Sequence, residues 1–84
     1  MKHVTVYLDV NNPIGCVHPG GTVVIGGDAP PWKFCNLFHQ CIMEGAAVVA
    51  TGIGIEKSTS RKDYIVAYST SERYRIGDVL LVDL

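Results

Sequence analysis

From residue 3 the chain alternates apolar and polar positions. In HVTVYLDV, Val4, Val6, Leu8 and Val10 fall on one side and His3, Thr5, Tyr7 and Asp9 on the other, the period-two pattern of a strand with one buried face. The Asn, Pro and Gly residues of NNPIGCVHPGG end regular structure and leave a loop of about eleven residues, a length that in a small domain can carry function. TVVIGG is a second, β-branched strand stopped by two glycines. In DAPPW, Asp28 offers the acceptor of a helix N-cap, and Pro30 and Pro31 suit a first turn whose N–H groups have no intrahelical partner. A helix is therefore predicted from near Ala29 to near Gly45, a good C-terminal stop.

Within that helix, Phe34, Leu37, Phe38, Cys41, Ile42 and Gly45 repeat at i, i+3, i+4, i+7 and i+8, the spacing of a stripe that packs on a core. Lys33, Asn36, Gln40 and Glu44 form the solvated arc. Trp32, Cys35, His39 and Met43 make a further line, spaced three, four and four apart along one flank. The projection thus separates two cysteines that look alike in KFCNLFHQCIME: Cys41 joins the core as a small buried thiol, and Cys35 joins the flank.

AAVVATGIGIEK reads as a third strand, with Val49, Thr51, Ile53 and Ile55 on one face and Gly52 and Gly54 on the other, where the missing side chains suggest a close approach or a bend. STSRKD is a turn, YIVAYS a fourth strand paired with the third as a hairpin, and VLLVDL a terminal strand. The predicted fold is one α+β domain over residues 1–84, of order β-β-α-β-β-β: a four- to five-stranded, mostly antiparallel sheet with one helix on one face.

Composition narrows the class. Apolar residues are 48% of the 84, charged ones 18%, and the formal net charge is −1, values of a compact globular chain with a thin core. No apolar run approaches the roughly 18 residues of a membrane span, and the alternating N-terminus lacks the continuous apolar segment of a signal peptide. Three cysteines cannot all pair within one chain, which fits reduced thiols and a cytoplasmic location. Net charge near zero argues against a general nucleic-acid binder.

Candidate chemistry is sparse. Cys35 and His39 sit at i, i+4 and can reach one point above the helix, and Cys16 and His18 are two apart in the loop, together the Cys2His2 set of a structural zinc site. A C-x-H pair is tighter than the gap usual between zinc ligands, so the four rank as zinc candidates below a partner-contact role. A Cys35–His39 nucleophilic dyad ranks lower still, because no orienting residue or oxyanion donor can be placed. Neither VIGGDAPP nor TGIGIEK has the layout that cradles a phosphate. Lys57, Arg61, Lys62, Arg73 and Arg75, against Asp63 and Glu72, give residues 57–75 a local charge of +3; with Tyr64, Tyr68 and Tyr74 they form either a solvated hairpin or an anion-facing patch.

The sequence therefore predicts a small non-enzymatic binding protein without cofactor that contacts another protein. An inhibitor or adaptor, of the size common on phages and other mobile elements, fits this description. The predicted contact surfaces are the Trp32, Cys35, His39, Met43 flank and the Lys57, Arg61, Lys62, Arg73, Arg75 segment. The alternatives are a nucleic-acid-binding domain using that basic segment and a zinc-stabilised module; homo-oligomerisation is compatible with each.

Overall fold

The computed structural model describes residues 5–52 and 62–82. His3, Val4, Ile53, Gly54, Ile55, Lys57 and Arg61, all invoked above, lie outside the described residues. The elements are β1 (Thr5–Asp9), β2 (Thr22–Gly26), α1 (Pro31–Met43), β3 (Val48–Thr51), β4 (Lys62–Ser69) and β5 (Val79–Val82). They form one five-stranded sheet in the order β1-β2-β3-β4-β5. The molecule is α+β, but the sheet is mixed instead of mostly antiparallel. β1–β2 and β2–β3 are parallel, and β3–β4 and β4–β5 antiparallel.

The parallel β1–β2 pair corrects the sequence expectation, and the reason is the long loop. Parallel neighbours need a connection of a dozen or so residues to bring the chain back to the starting end, a task usually done by a helix. Here residues 10–21 do it as an irregular crossover. Gly15 passes so close over β1 that a Cβ there would lie 2.8 Å from Leu8 Cδ2, and Val17 packs against the core. The Gly20 N–H then donates to Gly45 O at 2.9 Å, and Gly21 O accepts from the Ala47 N–H at 2.9 Å, which ties the loop to the far end of α1.

α1 starts two residues later than expected. Its N-cap is Pro30, with φ −59° and ψ 150° and no side-chain cap, so Asp28 is not the cap. A residue that precedes proline is pushed out of the α region, and Pro30, followed by Pro31, is extended at ψ 150°, so the helix begins at Pro31. The Asp28 carbonyl instead accepts from Asn11 Nδ2 at 2.7 Å, joining the β2–α1 loop to the crossover. At the other end Gly45, at φ +99°, donates to Ile42 O at 3.0 Å while Ala46 N–H reaches Cys41 O at 3.1 Å. This pair of bonds is a Schellman stop, which needs a left-handed residue where glycine stands.

Packing uses both faces of the sheet. On the helix side, Leu8, Val10, Val23, Ile25 and Val49 meet Phe34, Leu37 and Cys41, with Val6, Phe38 and Ile42 at the margin. The apolar phase of β1 and the stripe of α1 thus meet as predicted. On the opposite side, Val24, Val48, Ala50, Tyr64 and Val66 form a second cluster, flanked by Tyr7, Ala47, Tyr74 and Leu80. A strand buried on both faces reads as a continuous apolar run, which explains why TVVIG and VVAT are buried throughout.

One irregularity redistributes the tyrosines. Between β3 and β4 the register shifts from Val49↔Tyr68 to Ala50↔Val66, leaving Ala67 as an extra residue. A bulge of one residue flips side-chain phase along the strand. Tyr64 and Val66 therefore face the second cluster, while Tyr68 turns to the helix side and meets Phe38 edge-on, with ring centroids 6.4 Å apart.

Candidate interaction surface

With its stripe buried, α1 presents the remaining positions outward. Trp32, Cys35, His39 and Met43 are all exposed, Trp32 at 65% and Met43 at 74%. The Lys33 Nζ lies 5.7 Å from the Trp32 ring centroid, within cation–π range, which holds the indole against the helix instead of into the core. α1 has no acidic residue in its first turn and no basic residue in its last. The result is an outward face with two large apolar side chains, one thiol, one imidazole and few charges.

Cys41 and Cys35 separate as the projection requires. Cys41 is buried, and desolvation first, with Glu44 second, pushes its thiol up to about 11. Such a thiol is protonated and inert near neutral pH. Cys35 and Cys16 are exposed. Among the described residues no group of three or more His, Cys, Asp or Glu side chains is placed to hold a metal ion. Cys16, His18, Cys35 and His39 therefore do not assemble as the Cys2His2 set considered above.

Of the five basic residues, Lys57 and Arg61 lie outside the described residues. Lys62 opens β4, and Arg73 and Arg75 follow its last residue, Ser69. At about 3.3 Å per residue, the two ends of that strand are roughly 23 Å apart. Arg73 and Arg75 are exposed on the β4–β5 connection, where Arg75 N–H donates to Asp78 Oδ2 at 2.8 Å and Ser69 Oγ–H to Tyr74 O at 2.6 Å. The tyrosines expected beside these cations pack inside: Tyr64 and Tyr74 on the second cluster, Tyr68 on Phe38.

Sequence reading passed over one polar constellation. Tyr7 of β1 and Tyr64 of β4 reach toward each other across β2 and β3, edge to face at 6.3 Å, with their hydroxyls hydrogen-bonded. They meet above Gly26: a Cβ there would lie 2.6 Å from Tyr7 Oη and 3.0 Å from Tyr64 Oη. Gly52 admits the Tyr64 ring, whose Cε1 would be 3.0 Å from a Cβ. The close approach suspected from the glycine-bearing face of β3 is thus real at Gly52. Desolvation, reinforced by Tyr7, pushes the Tyr64 hydroxyl up to about 12.

Residues 6–81 match the model of the CRISPR-associated protein (Cas_csx3) family. The chain belongs to this family. The match runs from Val6 in β1 to Leu81 in β5, so the sheet except its end residues Thr5 and Val82, the crossover, α1 with its exposed face and the tyrosine pair lie within the Cas_csx3 region. Searches of curated proteins and of solved structures gave no match. No helix among the described residues is long and apolar enough to cross a membrane.

Proposed function

We propose that this small CRISPR-associated protein acts by binding another protein through the exposed face of α1, as an inhibitor or adaptor and not through a reaction of its own. The observation that carries this is the exposure of Trp32 and Met43 on a helix whose opposite face is fully used by the core. Trp and Met are enriched, and charge depleted, at the centres of protein interfaces. The half-buried Phe38 and Ile42 border the same surface. Cys35 and His39 supply the polar contacts between Trp32 and Met43.

A nucleic-acid partner is supported by the exposed Arg73 and Arg75 on the β4–β5 connection, but two neighbouring cations neutralise few phosphates, and affinity of that kind grows with their number. Protein contact is therefore the stronger reading. Its test is quantitative capture from the native host, with the captured protein identified by mass spectrometry. Trp32→Ala, shown folded by circular dichroism, is expected to lower capture at least tenfold, the loss typical of a central Trp. Full capture by Trp32→Ala and by Met43→Ala would overturn the proposal.

A further inference from the structure

Resting on the α1 contact surface proposed above, we infer that the partner presents an amphipathic helix, seated beside α1 on the uncovered face of β4 and β5. Among the described residues, two parts of the chain cover the helix side of the sheet. The crossover passes over β1, where a Cβ at Gly15 would meet Leu8 and Val6, and α1 packs on β2 and β3. On β4 and β5 the directly paired Ile65 and Val79 point to that same side, opposite Tyr64 and Leu80 of the second cluster. They remain 42% and 56% exposed.

The open strip has the dimensions of one helix. Strands lie about 4.8 Å apart, so β4 and β5 together span about 10 Å, the diameter of a helix. A helix centred on them would lie two strand spacings from one centred on β2 and β3, again about 10 Å, the spacing at which packed helices sit. α1 supplies the wall of this seat. Phe38 meets Tyr68 of β4, and at about 100° per residue Ile42, Cys35 and His39 follow Phe38 around the helix, away from the sheet. The exposed flank therefore rises on the β4 side of α1, and Lys33, Gln40 and Glu44 lie on its β1 side.

Side-chain chemistry sets what kind of helix fits. The seat offers Ile65, Val79, Tyr68, Phe38, Ile42 and Cys35, all apolar or neutral, so the stripe laid on them is apolar, with the i, i+3, i+4, i+7 spacing of a helix in a groove. The rim sets which end of that helix is acidic. Ser69 pairs with Val48, which follows α1 in the chain, so the β4–β5 connection lies beside the C-terminal end of α1. It exposes Arg73 and Arg75 against Glu72, while Asp78 Oδ2 accepts from the Arg75 N–H. Acidic residues at that end of the partner helix would meet two guanidinium groups.

Two displayed peptide libraries, screened on the full chain, test the seat. Both are 13 residues long, as α1 is, and draw on the same apolar and polar residues, one in helical period and one alternating. Binders are expected from the helical library, enriched in Asp and Glu toward one end, and the best of them, as a free peptide, should gain helical circular dichroism on mixing. Ile65→Glu and Val79→Glu, at exposed positions, should each weaken it at least tenfold and leave the circular dichroism of the chain unchanged. Arg73→Glu with Arg75→Glu should weaken it about threefold or more, and Gln40→Ala, on the far side of α1, should not. Host capture that falls with Trp32→Ala but ignores Ile65→Glu would overturn the seat and leave the α1 contact standing. Capture that ignores Trp32→Ala would overturn that contact, and the peptides would still decide the seat. No binder from the helical library, equal binding by the alternating one, or a mass that drops to the 9.1 kDa of one chain only in Ile65→Glu, which would put a second copy on the strip, would each overturn the inference.

Discussion

Replacing Gly26 by alanine places one methyl group where two phenol oxygens now meet. The new Cβ would be 2.6 Å from Tyr7 Oη, 3.0 Å from Tyr64 Oη and 3.1 Å from Tyr7 Cε2, against an ordinary contact of about 3.5 Å or more. Tyr64 is only 3% exposed, with its ring seated on Gly52, so the half-buried Tyr7 has to move and the hydroxyl bond is lost. Overpacking costs about 1–3 kcal/mol and the lost bond about 1 kcal/mol. Reduced freedom of the unfolded chain returns about 0.4–1 kcal/mol. The expected net loss is about 2 kcal/mol.

A double-mutant cycle isolates the cause. Tyr7→Phe alone should cost about 1 kcal/mol, because it leaves the buried Tyr64 hydroxyl without its partner. In the Gly26→Ala background it also removes the closest clash, so the two losses should overlap by about 1 kcal/mol. Urea unfolding followed by far-ultraviolet circular dichroism is the appropriate assay, since the exposed Trp32 is a poor reporter of the core. At a slope of about 1–2 kcal/mol per molar, Gly26→Ala should move the midpoint down by about 1 M or more. Strictly additive losses, or a more stable Gly26→Ala protein, would refute the packing account of the tyrosine pair.

Two further outcomes follow from buried acids and thiols. Tyr64 and Cys41 hold their protons more tightly when folded, at about 12 and about 11 against 10.0 and 9.0 for the free groups. Their contributions are therefore complete below about pH 9 and are lost as pH rises toward 12, each with a limiting slope of about 1.4 kcal/mol per pH unit. Urea midpoints should fall across that range and fall less for Tyr64→Phe; an equal decline in both proteins would contradict the assignment. Iodoacetamide at pH 8 should label Cys16 and Cys35 in the native protein and Cys41 only after unfolding, as read by mass spectrometry. Rapid native labelling at Cys41 would show that its burial is wrong.

Local periodicity made part of this structure readable in the sequence. The alternation of Val6, Leu8 and Val10 and the α1 stripe through Phe34, Leu37 and Cys41 depend on side-chain direction within one element, which spacing alone sets. The same logic separated Cys41 from Cys35. Parallel pairing of β1 with β2 escaped, because it depends on where the crossover returns the chain and not on any pattern inside either strand. The Ala67 bulge escaped too, and with it the fate of Tyr68, since one extra residue inverts a period-two reading. Lys62 and Arg73 are near in sequence, but the length of β4 lies between them. Gly52 signalled a close approach, but its visitor, Tyr64, and the meeting with Tyr7 over Gly26 arise only when four strands are assembled.

Contact through the exposed face of α1 can be read directly at Cys35, a probe already built into that face between Trp32 and Met43. Its alkylation rate should be measured in the free chain and in the complex with the captured protein, with the exposed Cys16 as internal reference. The rate at Cys35 should be at least tenfold slower in the complex, and the rate at Cys16 unchanged. A Cys35 that reacts as fast in the complex as in the free chain would contradict it.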